Sequence, residues 1–198
     1  MLGDRWGVSN SETLRSYPCD DFVMSPVLTA WRGVNVGAPA EVVWPWVAQV
    51  RVAPYSYDWI DNFGRRSPRE LLGLPEPRVG ERFTTAGGRA QGRIVSVDPG
   101  SQLTGTIMGA FMSYVLLPQD HDTTRLLLKV VLQAPRWTAV ALSVGDLVMA
   151  RRQLLNLKRL AELNCLGAAT DTRAPSRRYP GRRHPLQRRL FNRIPARR

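Results

Sequence analysis

Between residues 27 and 36 apolar and polar positions alternate with a period of two. Leu28, Ala30, Val34 and Val36 fall on one face with Arg32, and Thr29, Trp31 and Asn35 fall on the other. That period predicts a strand with one buried face. Gly37-Ala38 then turns the chain into Pro39, a residue favoured at the start of a helix, with Glu41 placed where the helix dipole favours a carboxylate. Pro45 has no amide hydrogen, so this helix is expected to kink or end early. A second short helix is expected over residues 57–63. A third is expected from the capping pattern Ser67-Pro68-Arg69-Glu70 to a stop at Gly73.

Short strands follow, at 81–85, 91–97, 102–107, 110–117 and 125–133, parted by turns such as Asp98-Pro99-Gly100 and Gln119-Asp120-His121-Asp122. In the last of them Leu126, Leu128, Val130 and Leu132 face inward and Arg125, Lys129 and Gln133 outward. Leu127 and Val131 share the outward face, which is therefore not fully wet. The pattern closes on a helix around 145–164, whose Leu147, Ala150, Leu154, Leu157 and Ala161 make one apolar stripe. Strand, helices, a run of antiparallel strands and a long helix give an α+β fold with a sheet wrapped around the final helix.

The same patterning divides the chain. Residues 1–26 are polar and irregular, and are expected to form a strap across the barrel edge anchored by Phe22 and Val23. Residues 27–166 hold the periodic apolar positions of the folded domain. Residues 167–198 set ten arginines, from Arg173 to Arg198, against Asp171 alone, with few large apolar side chains. Such a segment cannot bury enough surface to offset the entropy of ordering, and is expected to be disordered.

A hydrophobic content of 43% over 198 residues is ample for one core. Charge alters the picture more: 28 basic residues against 16 acidic give a net +12, and only Lys129 and Lys158 among the basic residues are lysine. Most of that excess lies beyond residue 172. It leaves three readings open: non-specific contact of residues 173–198 with nucleic acid or an anionic membrane, a solvated extension without a partner, or weakly selected GC-rich coding sequence. The N-terminal residues lack a basic-then-apolar secretion pattern. The longest apolar stretch, 137–150, is broken by Asp146 and falls short of the roughly 20 residues that span a bilayer. A cytoplasmic location is expected. Cys19 and Cys165 form no CxxC or zinc spacing, and two free thiols are expected.

The aromatic stretch 38–62 carries three of the six tryptophans, Trp44, Trp46 and Trp59, beside Tyr55 and Tyr57. The matching pieces are Trp31-Arg32-Gly33-Val34-Asn35-Val36 with Ala38-Pro39, then Glu41-Val42-Val43-Trp44-Pro45-Trp46-Val47-Ala48-Gln49, then Tyr55-Ser56-Tyr57-Asp58-Trp59. With Met149-Ala150-Arg151-Arg152-Gln153-Leu154-Leu155 near the end, the chain resembles the SRPBCC superfamily, the START-like or helix-grip ligand-binding fold. It is most similar to the actinobacterial polyketide cyclase/dehydrase and lipid-transport members. The resemblance spans roughly residues 10–165. It implies a curved antiparallel sheet gripping the last helix, and between them an internal cavity for a small hydrophobic molecule.

Candidate ligand-binding residues are Arg32, Trp44, Tyr55, Tyr57, Asp58, Trp59 and Leu154. The aromatic rings either line a cavity or fill a core. Arg32 either holds a ligand oxygen at the cavity rim or forms a buried ion pair with Glu41 or Asp58. Asp58, with Asp61 and Asn62 one turn away, is either a carboxylate at the cavity mouth, able to act as a general base, or a helix cap. His121 and His184 complete no triad or metal site, and Gly87-Gly88-Arg89-Ala90-Gln91-Gly92 lacks the lysine and hydroxyl of a phosphate loop. No catalytic residue, metal or cofactor is assigned. Binding of a lipid- or polyketide-like molecule, a cyclase/dehydrase activity and tail-mediated association remain open. An interior without a titratable group favours carriage, and a shielded carboxylate near Tyr57 favours catalysis.

If the arginine-rich segment binds nucleic acid or anionic lipid, it does so by counterion release. Affinity measured by filter binding or vesicle sedimentation should then fall steeply with salt, and deleting residues 173–198 should abolish it. Sequence-specific binding kept by the shortened chain would place recognition elsewhere.

Overall fold

The computed structural model describes residues 4–133 and 136–171, and the side chains of 4–133 and 149–167. Residues 172–198, with the expectation of disorder attached to them, and the side chain of Leu147 lie outside the described residues. Seven strands are ordered β1-β2-β7-β6-β5-β4-β3 in one sheet. They are β1 (Arg5–Trp6), β2 (Leu28–Val36), β3 (Arg82–Ala86), β4 (Arg89–Asp98), β5 (Gln102–Ile107), β6 (Ala110–Pro118) and β7 (Thr124–Leu132). β1 runs parallel to β2, and all other neighbours are antiparallel. Leu28 stands opposite Leu132 and Val36 opposite Thr124, so the first and last long strands pair over their whole length.

The helices are α1 (Asn10–Thr13), α2 (Ala40–Ala48), α3 (Asp58–Asp61) and the 36-residue α4 (Arg136–Asp171), which packs on β2 and α2. Ala150, Leu154, Leu157 and Ala161 form its buried stripe, against Ala30, Val34 and Val36 of β2 and Leu126, Leu128 and Val130 of β7. Alanines at the ends of the stripe and leucines between them let the helix lie close to the sheet. α4 starts well before residue 145 and runs past the expected domain end at 166, so residues 167–171 are helical rather than part of an irregular tail.

The opposite face of the sheet has its own cover. Val115, Leu127 and Val131 meet Tyr17, Cys19 and Val23 of the N-terminal segment. This explains the mixed outward face of β7. Lys129 Nζ lies 2.6 Å from an Asp20 carboxylate oxygen and Arg125 Nε 2.7 Å from Glu12, so the two charges beside those apolar positions are answered from the same segment. The strap thus crosses a sheet face. Its firmest anchors are Tyr17 and Cys19, while Phe22 stacks on Phe111 at 5.2 Å. Cys19 and Cys165 are both free, and burial pushes the Cys19 thiol up to about 11.

Two local expectations are corrected. α2 passes through Pro45 to Ala48 and tightens into a 3-10 turn at Gln49–Arg51. Burial of Val43, Trp44, Trp46 and Val47 on both sides of the proline offsets the one missing backbone bond. No helix forms at 67–73. The Ser67 hydroxyl that would cap it donates instead to Asp58 at 2.5 Å. Gln49 also ties down the residues that follow, its Nε2 donating to the Glu70 carbonyl and its Oε1 accepting from the Leu72 amide.

Leu154 is fully buried in the stripe. Leu154→Ala should lower unfolding free energy by about 2–5 kcal/mol in denaturant titration. A loss below about 0.5 kcal/mol, typical of surface sites, would contradict the packing described.

Candidate functional site

Segment 54–58 decides where the concave surfaces lie. Tyr55 adopts φ of 56°, a left-handed conformation uncommon for a bulky residue, and its buried hydroxyl accepts from Gln49 Nε2 at 2.6 Å. Gln153 of α4 accepts from the Tyr114 hydroxyl at 2.5 Å and donates to the Pro54 carbonyl at 2.5 Å. Asn156, one turn on, donates to the Tyr55 carbonyl at 2.8 Å. The loop is thereby fastened to both sheet and helix.

On one side of this segment lies a cavity of about 690 Å³ between the sheet and α4. Its walls include Phe83, Ile107, Met112, Tyr114, Val130 and Leu132 from the strands, Met149, Ala150 and Gln153 from α4, and Ile60, Asp61 and Phe63 at its mouth. Gly105 shapes the floor: a Cβ there would come within 2.0 Å of the Phe83 ring, so only glycine lets that ring lie against β5. On the other side lies a cleft of about 760 Å³, lined by Tyr55, Tyr57, Asp58 and Trp59 with Arg66, Arg69, Arg152 and Arg159. The two share Ser56.

The structure brings Tyr55, Tyr57, Asp58 and Trp59 together, in the arginine-lined cleft and not in the apolar cavity. Asp58 accepts from the amide and hydroxyl of Ser67, at 2.8 and 2.5 Å, and so fixes the start of α3. Trp44 lies apart, in a crevice of about 270 Å³, with its indole N–H donating to Glu76 at 3.0 Å. Arg32 is buried at the β1 edge, where Nη1 donates to the carbonyls of Asp4 and Trp31, and it borders neither cavity. Leu154 is core and reaches neither cavity wall; the turn before it, at 149–153, does.

Asp61, the neighbour of Asp58 in the sequence pattern, is the carboxylate at the apolar cavity. Both its carboxylate oxygens are buried without a hydrogen-bond partner. Burial pushes its pKa up to about 6; the backbone amides of Asp61 and Tyr57, near but outside hydrogen-bonding geometry, offset part of the rise, and Asp58 adds to it. Its position follows from local ties. Ser67 holds Asp58 at one end of α3, and Asn62 at the other donates to the Arg65 carbonyl at 2.7 Å and accepts from the Gly87 amide at 3.0 Å. The sequence offered Tyr114, with Asp58, Arg32 and Tyr57, as a group for acid/base chemistry, but gave no signal for Met112; of the four, Tyr114 alone lines the apolar cavity. Among the described residues no group of three or more His, Cys, Asp or Glu could hold a metal ion, and no helix is long and apolar enough to cross a membrane.

A seven-stranded, mostly antiparallel sheet wrapped on a long C-terminal helix, with a cavity between them, defines the architecture. The fold is the helix grip. No protein-family model matches the chain, and no curated protein matches it. Solved structures do. A protein of Mesorhizobium loti is 16% identical, with 68% of this chain and 97% of that one covered, at a TM-score of 0.44. A Polyketide_cyc-like protein of Corynebacterium glutamicum is 15% identical, with 69% and 93% covered, at 0.44. A protein of Nitrosomonas europaea is 12% identical, with 71% and 99% covered, at 0.46.

Asp61 gives the helix grip a pH signature. Its folded pKa lies above that of a free carboxyl, so the folded state binds its proton more tightly than the unfolded state. The stability from this group is therefore full below the unfolded value, near 4, and is lost as pH rises through about 6. Asp61→Asn should raise the melting temperature at pH 7 relative to wild type, and the difference should shrink by pH 4. Equal effects at both pH values would show the carboxylate to be solvated.

Proposed function

We propose that the protein binds a small hydrophobic or aromatic molecule, lipid- or polyketide-like, in the cavity between the sheet and α4. One observation carries the reading: about 690 Å³ of space walled mainly by Phe83, Ile107, Met112, Val130, Leu132 and Met149, in a size range typical of small-molecule sites. Removing apolar ligand surface from water supplies the affinity, at roughly 25 cal/mol per Å² before the costs of association. The few polar groups at the wall supply orientation. Tyr114 and Gln153 are already bonded to each other, and Asp61 brings buried oxygens with an unmet bond to the wall.

Asp61 also supports a second reading, a cyclase/dehydrase-type enzyme. A carboxylate shielded from water and titrating near neutral pH can take a proton α to a carbonyl. Returning that proton to a β-hydroxyl lets it depart as water, which leaves a conjugated double bond. The described cavity offers no independently placed second acid, so one carboxylate would serve both steps.

Native mass spectrometry of the purified full chain should reveal a co-purified apolar molecule, and the neutral dye Nile red should gain emission on binding. Ala110→Trp, which fills the cavity from β6, should weaken dye binding by about tenfold or more. No co-purified molecule and no dye binding would overturn the carrier reading. Asp61→Asn separates the two readings: if it leaves dye binding intact but abolishes dehydration of a β-hydroxyketone, the protein is an enzyme; if wild type shows no dehydration, it is a carrier.

A further inference from the structure

The cleft on the far side of segment 54–58 has the opposite chemistry from the apolar cavity. Arg66, Arg69, Arg152 and Arg159 line it, and none of the four has a carboxylate partner among the described residues. The carboxylates present are Asp58, whose oxygens are engaged by Ser67, and Glu70. Guanidinium groups stay protonated at any ordinary pH, so four positive charges converge on two negative ones. The deficit amounts to two charges, which is the charge a phosphate monoester carries near neutrality, about −1.5 to −2.

Two further observations point to the same ligand. Trp46 is buried in the cleft wall, and its indole N–H has no acceptor. Guanidinium donors outnumber carboxylates in the cleft, which calls for an oxygen-rich acceptor and not for a cation. Trp59 lines the same cleft with three-quarters of its surface exposed. Arg152 sits 5.7 Å from the centre of the Tyr57 ring, which holds one guanidinium over an aromatic face. An exposed indole beside a cationic surface suits a flat ring attached to the anion.

We propose that this cleft is a second binding site, separate from the apolar cavity, for a phosphate ester that carries a planar ring. Arg152 and Arg159 lie two turns apart on the same side of α4, with Asn156 between them, so both reach the cleft from the helix. Arg66 and Arg69 line the same cleft from the loop that Ser67 and Gln49 fasten in place. The ester oxygens take the guanidinium N–H groups in bidentate fashion, and the ring stacks on Trp59.

Isothermal titration of the full chain with AMP, adenosine and inorganic phosphate tests the site, with melting temperatures to confirm that each variant folds. AMP should bind at least about tenfold more tightly than either fragment, and binding should weaken as salt rises. Arg152→Gln with Arg159→Gln should cost about tenfold or more in AMP affinity, because two charge-assisted donors are lost. Trp59→Ala should lower the preference for AMP over phosphate. Arg177→Gln with Arg178→Gln, Arg182→Gln and Arg183→Gln should leave AMP affinity unchanged. Absence of AMP binding, equal binding of adenosine, or loss through the C-terminal substitutions in place of the cleft pair would overturn the proposal. Nile red binding in the apolar cavity should be unaffected by the cleft variants, so the two sites fail or stand separately.

Discussion

Two carboxamides one turn apart on α4 organise the functional face. Gln153 and Asn156 satisfy the carbonyls of Pro54 and Tyr55, and Gln153 also takes the hydroxyl of the buried Tyr114. A buried carbonyl or phenol without a partner costs about 1–3 kcal/mol, so these bonds are what keep the loop seated on the helix. Tyr55 pays a conformational penalty to make the turn and recovers it through its hydroxyl bond to Gln49 and an edge-on contact with Trp46, 6.4 Å between ring centres. The resulting strip of chain is a partition. One side is apolar and backed by the sheet; the other is cationic and backed by the outer face of the helix.

Asp61 stands at the apolar side of that partition. A carboxylate with both oxygens buried and unbonded destabilises the fold whenever it is ionised. Proteins keep such groups where the surrounding structure over-determines them, and here α3 is pinned at both ends by Ser67 and Asn62. The short helix has no buried residue of its own to hold it. Its placement, and with it the position of the carboxylate, depends on hydrogen bonds to loops that flank it.

Architecture was legible in the sequence because it rests on periodicity. The alternation in β2 and β7 and the stripe on α4 are long enough to define faces, and with them a sheet wrapped around the last helix. The candidate site was legible in its chemistry but not in its location. The aromatic cluster does border a concave surface, yet Trp44 turns to Glu76, and the tyrosines line the cleft outside the cavity. Whether a ring on a kinked loop points to one side or the other depends on a single left-handed residue, Tyr55, and no local pattern announces that. Asp58 and Asp61 look equivalent in sequence. The bond from Ser67, nine residues downstream of Asp58, is what tells them apart. The failed helix at 67–73 has the same origin, since a capping serine was diverted to a tertiary partner.

The N-terminal strap has a consequence for how the chain behaves in bulk. Tyr17, Cys19 and Val23 are few, but they shelter Val115, Leu127 and Val131 at the centre of the sheet, and β1 covers part of the β2 edge. Peeling the strap away would remove Trp6 from beneath Arg151 of α4 and turn the reverse of the sheet into a sticky apolar plate beside an unpaired strand edge. A segment that lines neither cavity nor cleft is therefore the one that keeps neighbouring molecules from adhering to each other.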